Sequence, residues 1–273
     1  MFSKYIGQIG ALTCPGNKNK NEDRIFVQRT LHLQEKALQE QKYAGRRSAA
    51  RTCFAVADGI SMGGGGEVAA QEAVASCKTM LRSRRSYSRM SIEKILQTTN
   101  ESVAKQLQKQ GFSIGGTTLS LLCIQEQSYM TANVGDSPIY LYRDGSLTQL
   151  SMPHTLAEFK RQQGILSVSI ADENTLYQYI GNPMDPVEAH FSEGTVLPGD
   201  TFLLCSDGLT KILSDAEIAD CLVKNMDAEE IVRLRLDRAD DNVSLILIRI
   251  EERHRRIWRA KTSSLLCDEE GDE

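Results

Sequence analysis

The chain of 273 residues holds no run of the roughly 20 apolar residues that a membrane-spanning helix needs, and its opening Met-Phe-Ser-Lys-Tyr-Ile-Gly carries no apolar signal-peptide core. It also lacks a cationic excess. The formal net charge is −4, whereas a surface that tracks nucleic-acid phosphates needs clear positive charge, so non-specific nucleic-acid binding is excluded and any phosphate must be met locally. No Cys-x-x-Cys spacing occurs among the seven cysteines, an odd number scattered through apolar stretches that include Cys53, Cys123 and Cys205. This pattern fits buried thiols in a reducing cytoplasm and neither a disulfide framework nor a zinc site. There is no Gly-Lys-[Ser/Thr] phosphate loop and no internal repeat. The expectation is a cytoplasmic protein without membrane attachment, with one large domain over residues 1–250 and a charged helix or frayed tail over 251–273.

What is present is a set of short strands rich in aliphatic and β-branched residues: 53–57, 117–124, 129–134, 139–142, 201–205 and 243–250. Asp144-Gly145 reads as a hairpin turn between two of them, because both residues tolerate positive φ. Apolar residues spaced by three or four predict helices over 67–81 and 92–110. Ser214 and Glu217 form a capping box opening a helix to Val223, and a further helix is expected over 228–236. Residues 31–51, rich in Gln, Lys and Arg, read as an exposed helix or an inserted loop. The run Gly63 to Gly66, with Ala69, formally fits a dinucleotide fingerprint, but a helix follows where a second strand ending in an acid is required.

Three times an apolar strand runs into an aspartate with glycine beside it: Asp58-Gly59, Gly135-Asp136 and Asp207-Gly208. Asp240-Asp241 opens the last strand and Asn21-Glu22-Asp23 lies further upstream. One such aspartate is an ordinary turn. Several at strand ends would repel one another and raise each other's pKa unless cations neutralise them, and ligands made only of oxygen select Mg²⁺ or Mn²⁺ over zinc.

These residues, with Gly66-Glu67, Gly116-Thr-Thr118, Asn133 to Ser137, Leu150 followed by His154, residues 176–181, Cys205 to Leu209 and Asp241-Asn242, stand in the order of the type 2C, metal-dependent Ser/Thr protein phosphatases. The chain resembles their compact bacterial members over about residues 7–250. The resemblance implies an α+β fold, a four-layer sandwich of two antiparallel β-sheets packed face to face and flanked by helices. It implies a pair of Mn²⁺ or Mg²⁺ ions with Asp58 bridging both, the Gly59 carbonyl on one, Asp207 and Asp241 on the other, and Glu22 and Asp23 acting through water. The implied reaction is hydrolysis of phosphoserine or phosphothreonine on proteins, the products of a Ser/Thr kinase, by a hydroxide shared between the ions.

The chain departs from that pattern in several places. Lys18 stands where the family places a phosphate-gripping arginine, keeping the charge without the bidentate fork. The loop after Gly59 lacks a histidine that some relatives use as a general acid. His154, preceded by Pro153, reads as a flap or packing residue. Lys211 occupies a position where relatives carry an aspartate for a third metal near Asp136, and its ammonium is expected to replace that ion; the alternative is a lysine that points into solvent from the turn before the Ser214 helix. The competing reading is a catalytically impaired relative that binds phosphoproteins as a scaffold, which would have shed Asp58, Asp207 and Asp241; all three are retained.

Overall fold

Apolar residues recur on both faces of most strands, which is what a sheet requires when each of its faces is covered. The computed structural model describes residues 5–28, 34–36, 40–48, 51–60, 62–82 and 86–252. One sheet has seven strands in the order β3 (Gln34–Lys36), β4 (Glu40–Ser48), β1 (Tyr5–Cys14), β12 (Val243–Glu252), β11 (Thr201–Cys205), β8 (Ile139–Arg143) and β9 (Ser146–Gln149). The other has five: β10 (His190–Thr195), β7 (Ser128–Val134), β6 (Leu119–Gln125), β5 (Arg51–Ala57) and β2 (Arg24–Val27). Every pairing between these strands is antiparallel.

The period-2 alternation of side chains sorts each strand between two cores. Ile9, Phe54, Leu122, Phe202, Leu204 and Ile246 meet between the sheets. Their neighbours on the five-stranded sheet, Cys53, Ala55, Leu119 and Leu121, face outward against α1 (Gly66–Arg82) and α2 (Arg89–Lys109). Ala69, Ala70 and Ala73 line the buried stripe of α1, and small side chains let that helix lie close to the sheet. Outward residues of the seven-stranded sheet, Leu203, Leu245 and Leu247, pack on α5 (Asp207–Ile212), α6 (Asp215–Val223) and α7 (Ala228–Arg233). Two short helices, α3 (Leu156–Gln162) and α4 (Ile170–Glu173), lie in the long connection from β9 to β10. The architecture is the expected four-layer sandwich.

Local signals hold where they were chemically specific. Asp144 and Gly145 adopt φ of 49° and 82° in the β8–β9 turn, and the Ser214–Glu217 capping box opens α6. Residues 31–51 differ from expectation: over their described part they form the β3–β4 hairpin that extends the seven-stranded sheet beyond β1. The cause is non-local. β4 takes its register from β1, with Ala11 opposite Tyr43, while Lys42 pairs with Glu229 and Glu40 with Arg233, both on α7. The tail expected from residue 251 begins as the last two residues of β12, and 253–273 lie outside the described residues. Among the described residues no helix is long and apolar enough to cross a membrane.

Candidate active site

Antiparallel alternation places the C-terminal ends of β5, β7 and β11 and the N-terminal ends of β2 and β12 at one edge of the sandwich. Arg24 pairs with Ala57, which sets Asp23 beside Asp58; Cys205 pairs with Leu245, which sets Asp207 near Asp241. Two glycines permit the approach. A Cβ on Gly59 would lie 2.6 Å from the Gly66 backbone and 2.8 Å from the Glu22 carbonyl. One on Gly208 would collide with the Asn242 carbonyl.

Asp23 is fully buried. The Ser206 and Ser244 hydroxyls lie 2.8 and 2.7 Å from its Oδ2, while its Oδ1 has no hydrogen-bond partner. Its backbone N–H donates to Asn21 Oδ1 at 3.0 Å. Asn242, 2% exposed, ties the preceding loop to β12: its Oδ1 accepts from the Glu22 N–H at 2.8 Å, and its Nδ2 donates to the carbonyls of Pro15 and Lys20. Asp58 is held by its backbone. Its N–H donates to Thr118 Oγ1 at 3.0 Å, and its carbonyl accepts from the Thr118 N–H and the Thr117 hydroxyl, both at 2.8 Å. The carboxylate is thereby left to face the cluster.

Asp136 follows a tight turn at Gly135, whose φ is 100°. His154 supports that turn, accepting from the Gly135 N–H at Nδ1 (3.3 Å) while its own N–H donates to the Gly135 carbonyl (3.0 Å). It also packs on the Tyr177 ring. Burial, with the charge of His190, lowers the His154 pKa to about 4, so the ring is neutral and engaged with backbone.

Electrostatics divide the cluster. Burial first, then the charges of Asp23, Asp207, Asp136 and Asp241, push the Asp58 carboxyl well above its ordinary range. Burial raises Asp23 to about 6 against the Ser244 and Ser206 hydrogen bonds. Burial and the charge of Asp207 raise Asp136 to about 7. Asp241 moves the other way: burial would raise it, but Lys18 and Lys211 outweigh burial and hold it low. Lys18 pairs with Asp241 Oδ1. The Lys211 Nζ lies 2.7 Å from Asp207 Oδ2 and 3.1 Å from Asp241 Oδ2.

The structure thus gathers Glu22, Asp23, Asp58, Gly59, Asp207 and Asp241 at one edge, with Asp136 coupled to Asp58 and Asp207 by charge. Lys18 is at the same cluster, within the influence of Asp241, Asp58 and Glu22. Lys211 sits on a helix, not a turn, and its ion pairs are with Asp207 and Asp241, while its charge also reaches Asp136. The supporting roles of Asn242, Ser206, Ser244, Thr117 and Thr118 were not assigned from sequence. Asn242 and the threonines lie within motifs noted there, and polar residues flanking an aspartate at a strand end were the available signal.

The donor set suits hard divalent cations. It is made of oxygen alone, and two of its buried carboxylate oxygens, Asp23 Oδ1 and Asp207 Oδ1, have no partner. Among the described residues no three acidic, histidine or cysteine side chains are drawn closely enough together to cage an ion as they stand; on the Asp241 side, ammonium groups fill the gap.

A sequence model of the family described as protein phosphatase 2C matches residues 30–242. The chain is 30% identical over 166 residues to the protein phosphatase PhpP of Streptococcus pneumoniae serotype 2, covering 58% of this chain and 67% of that protein. Its fold superposes on the crystal structure of the Mycobacterium tuberculosis serine/threonine phosphatase PstP/Ppp with a TM-score of 0.74 at 24% identity, covering 90% of this chain and 100% of the other. A structure of the PstP catalytic domain in complex with two manganese ions gives a TM-score of 0.72 at 23% identity, covering 91% and 100%.

Proposed function

This chain belongs to the protein phosphatase 2C family, and we propose that it hydrolyses phosphoserine and phosphothreonine on proteins with two divalent cations held among Asp58, Asp23, Asp207 and Asp241. The observation that carries this reading is the buried carboxylate cluster whose Asp23 and Asp207 oxygens lack partners while Asp58 and Asp136 are driven above the ordinary range. Such a cluster is relieved by cations, and the PstP catalytic domain, of like fold, binds two manganese ions. The ions would be Mn²⁺ or Mg²⁺, with Asp58 and the Gly59 carbonyl among the groups that would hold the first, Asp207 and Asp241 those that would hold the second, and Glu22 beside them.

When bound, the two cations supply an acidified water and offset charge on the phosphoryl oxygens. The chain's own residues do the rest. Thr117 and Thr118 fix the Asp58 backbone, and Ser206 and Ser244 orient Asp23, so the carboxylates are positioned before substrate arrives. Lys18, with a 33% exposed side chain at the rim of the cluster, is the cation we assign to the substrate phosphate. His154 is neutral and bonded to the Gly135 backbone, which leaves it as support for the Asp136 turn and not as a proton donor.

The substrates are proteins phosphorylated by a Ser/Thr kinase, and the compartment is the cytoplasm, where six buried free thiols among the described residues would stay reduced. The test is phosphate release from a phosphothreonine peptide by the purified chain. We expect turnover with Mn²⁺ and none after chelation with EDTA. Turnover that persists in EDTA would overturn the reading.

A further inference from the structure

Asp207 and Asp241, assigned above to the second cation, are already bridged by a cation of the protein's own. Lys211 lies one helical turn after Asp207 on α5, and residues four apart on a helix share a face. Its Nζ is 2.7 Å from Asp207 Oδ2 and 3.1 Å from Asp241 Oδ2. The other Asp241 oxygen is taken by Lys18. The far side of the cluster is different in kind: Asp58 is surrounded by the charges of other carboxylates and Asp23 Oδ1 is buried without a hydrogen bond, while Asp207 spans both sides, its Oδ2 on Lys211 and its buried Oδ1 unpaired. One edge of the sandwich therefore offers two sorts of position, one lined by unpaired oxygens and one filled by an ammonium.

We propose that Lys211 is a tethered counter-cation that holds the Asp207–Asp241 position and must withdraw before a second divalent ion enters, so that the two ions bind in sequence, the first tightly and the second weakly. The inference rests on the two-cation reading of the site and adds an order and a regulator to it. The Lys211 side chain is 44% exposed, and a solvent-screened ion pair of that kind is readily broken. Its effect is thus a handicap on the second ion and not a block, on the order of tenfold in affinity. Half-exposed, the side chain has solvent on one side into which it can swing. Of the roles open to this lysine, replacement of a third ion at Asp136 fits less well, because both of its ion pairs are with the second-ion carboxylates.

Calorimetric titration of Mn²⁺ into the chelator-treated full chain tests this directly, comparing wild type with Lys211→Gln and Lys211→Arg. In wild type we expect two steps, the second at least tenfold weaker. Lys211→Gln should tighten the second step by about tenfold and move the first less than about twofold, whereas Lys211→Arg, which keeps the charge, should retain the weak second step. A second step unchanged in Lys211→Gln overturns the inference and leaves the phosphatase reading standing. Absence of any Mn²⁺ binding by folded wild type overturns both. Should Lys211→Gln fail to fold, wild-type crystals grown at excess Mn²⁺ decide. Two occupied ions with Lys211 drawn away from the carboxylates support the inference, and two occupied ions with Lys211 still bonded to both overturn it.

Discussion

Asp58 and Asp241 stand at the same edge of one sandwich, yet the fold drives the first toward protonation and holds the second ionised. Both are aspartates at strand ends, and for both burial acts in the same direction. What differs is the sign of the neighbours. Asp58 faces Asp23, Asp207 and Asp136, while Asp241 is gripped by Lys18 and Lys211. A carboxylate cluster is therefore not one electrostatic object. The half without lysines is under charge stress that cations relieve, and the half with lysines is already neutralised.

The largest expected effect comes from removing one charge on each side. Asp58→Asn and Asp241→Asn should each lower Mn²⁺-dependent turnover by at least about a thousandfold if each helps hold the proposed ion pair. Their metal-free stabilities should separate. Asp58→Asn replaces a group the fold prefers neutral, so melting of the metal-free protein at pH 8 should stay level or rise. Asp241→Asn strips Lys18 and Lys211 of a shared partner and should lower it. Equal shifts in the two variants, measured by calorimetry, would erase the contrast.

Titrating the metal-free protein gives an intermediate effect. A carboxyl whose folded pKa is raised contributes stability that is complete below its unfolded value near 4 and is lost as pH rises through the folded value. With Asp23 at about 6 and Asp136 at about 7, the metal-free melting temperature should fall by several degrees between pH 5 and pH 8. Asp241, held low, has the opposite sign, and its contribution is lost only as the pH drops below about 4. Saturating Mn²⁺ should flatten the slope between pH 5 and 8, since the ions replace the protons. A metal-free profile already flat over that range would contradict the assignment of stress to Asp23, Asp58 and Asp136.

The smallest effect belongs to the rim. Lys18→Arg should lower KM for a phosphothreonine peptide by a few-fold with little change in kcat, because a bidentate fork adds contacts in ground and transition states alike. A KM that rises or stays fixed would remove Lys18 from the phosphate and leave it as a partner of Asp241 alone.

The carboxylates at the site were legible because each carries its signal locally: an apolar strand, an abrupt aspartate and a glycine that allows close approach. The helices α1, α2 and α6 were legible for the same reason, through periodicity and capping residues. The β3–β4 hairpin was not, since Gln, Lys and Glu carry no strand signal of their own and β4 takes its place only by pairing with β1. Lys211 was misplaced on a turn because α5, of six residues, is too short for periodicity to announce.

Read alone, the residues determine which candidate donors stand where, carboxylates at strand ends in a family order, because identity and short-range spacing are all that this requires. Which carboxylate is stressed and which is paired is a matter of distances between groups as much as 223 positions apart, Lys18 and Asp241 among them. Those distances exist only once antiparallel pairing has brought five strand ends to one edge, and Coulomb interactions follow separation in space, not separation along the chain.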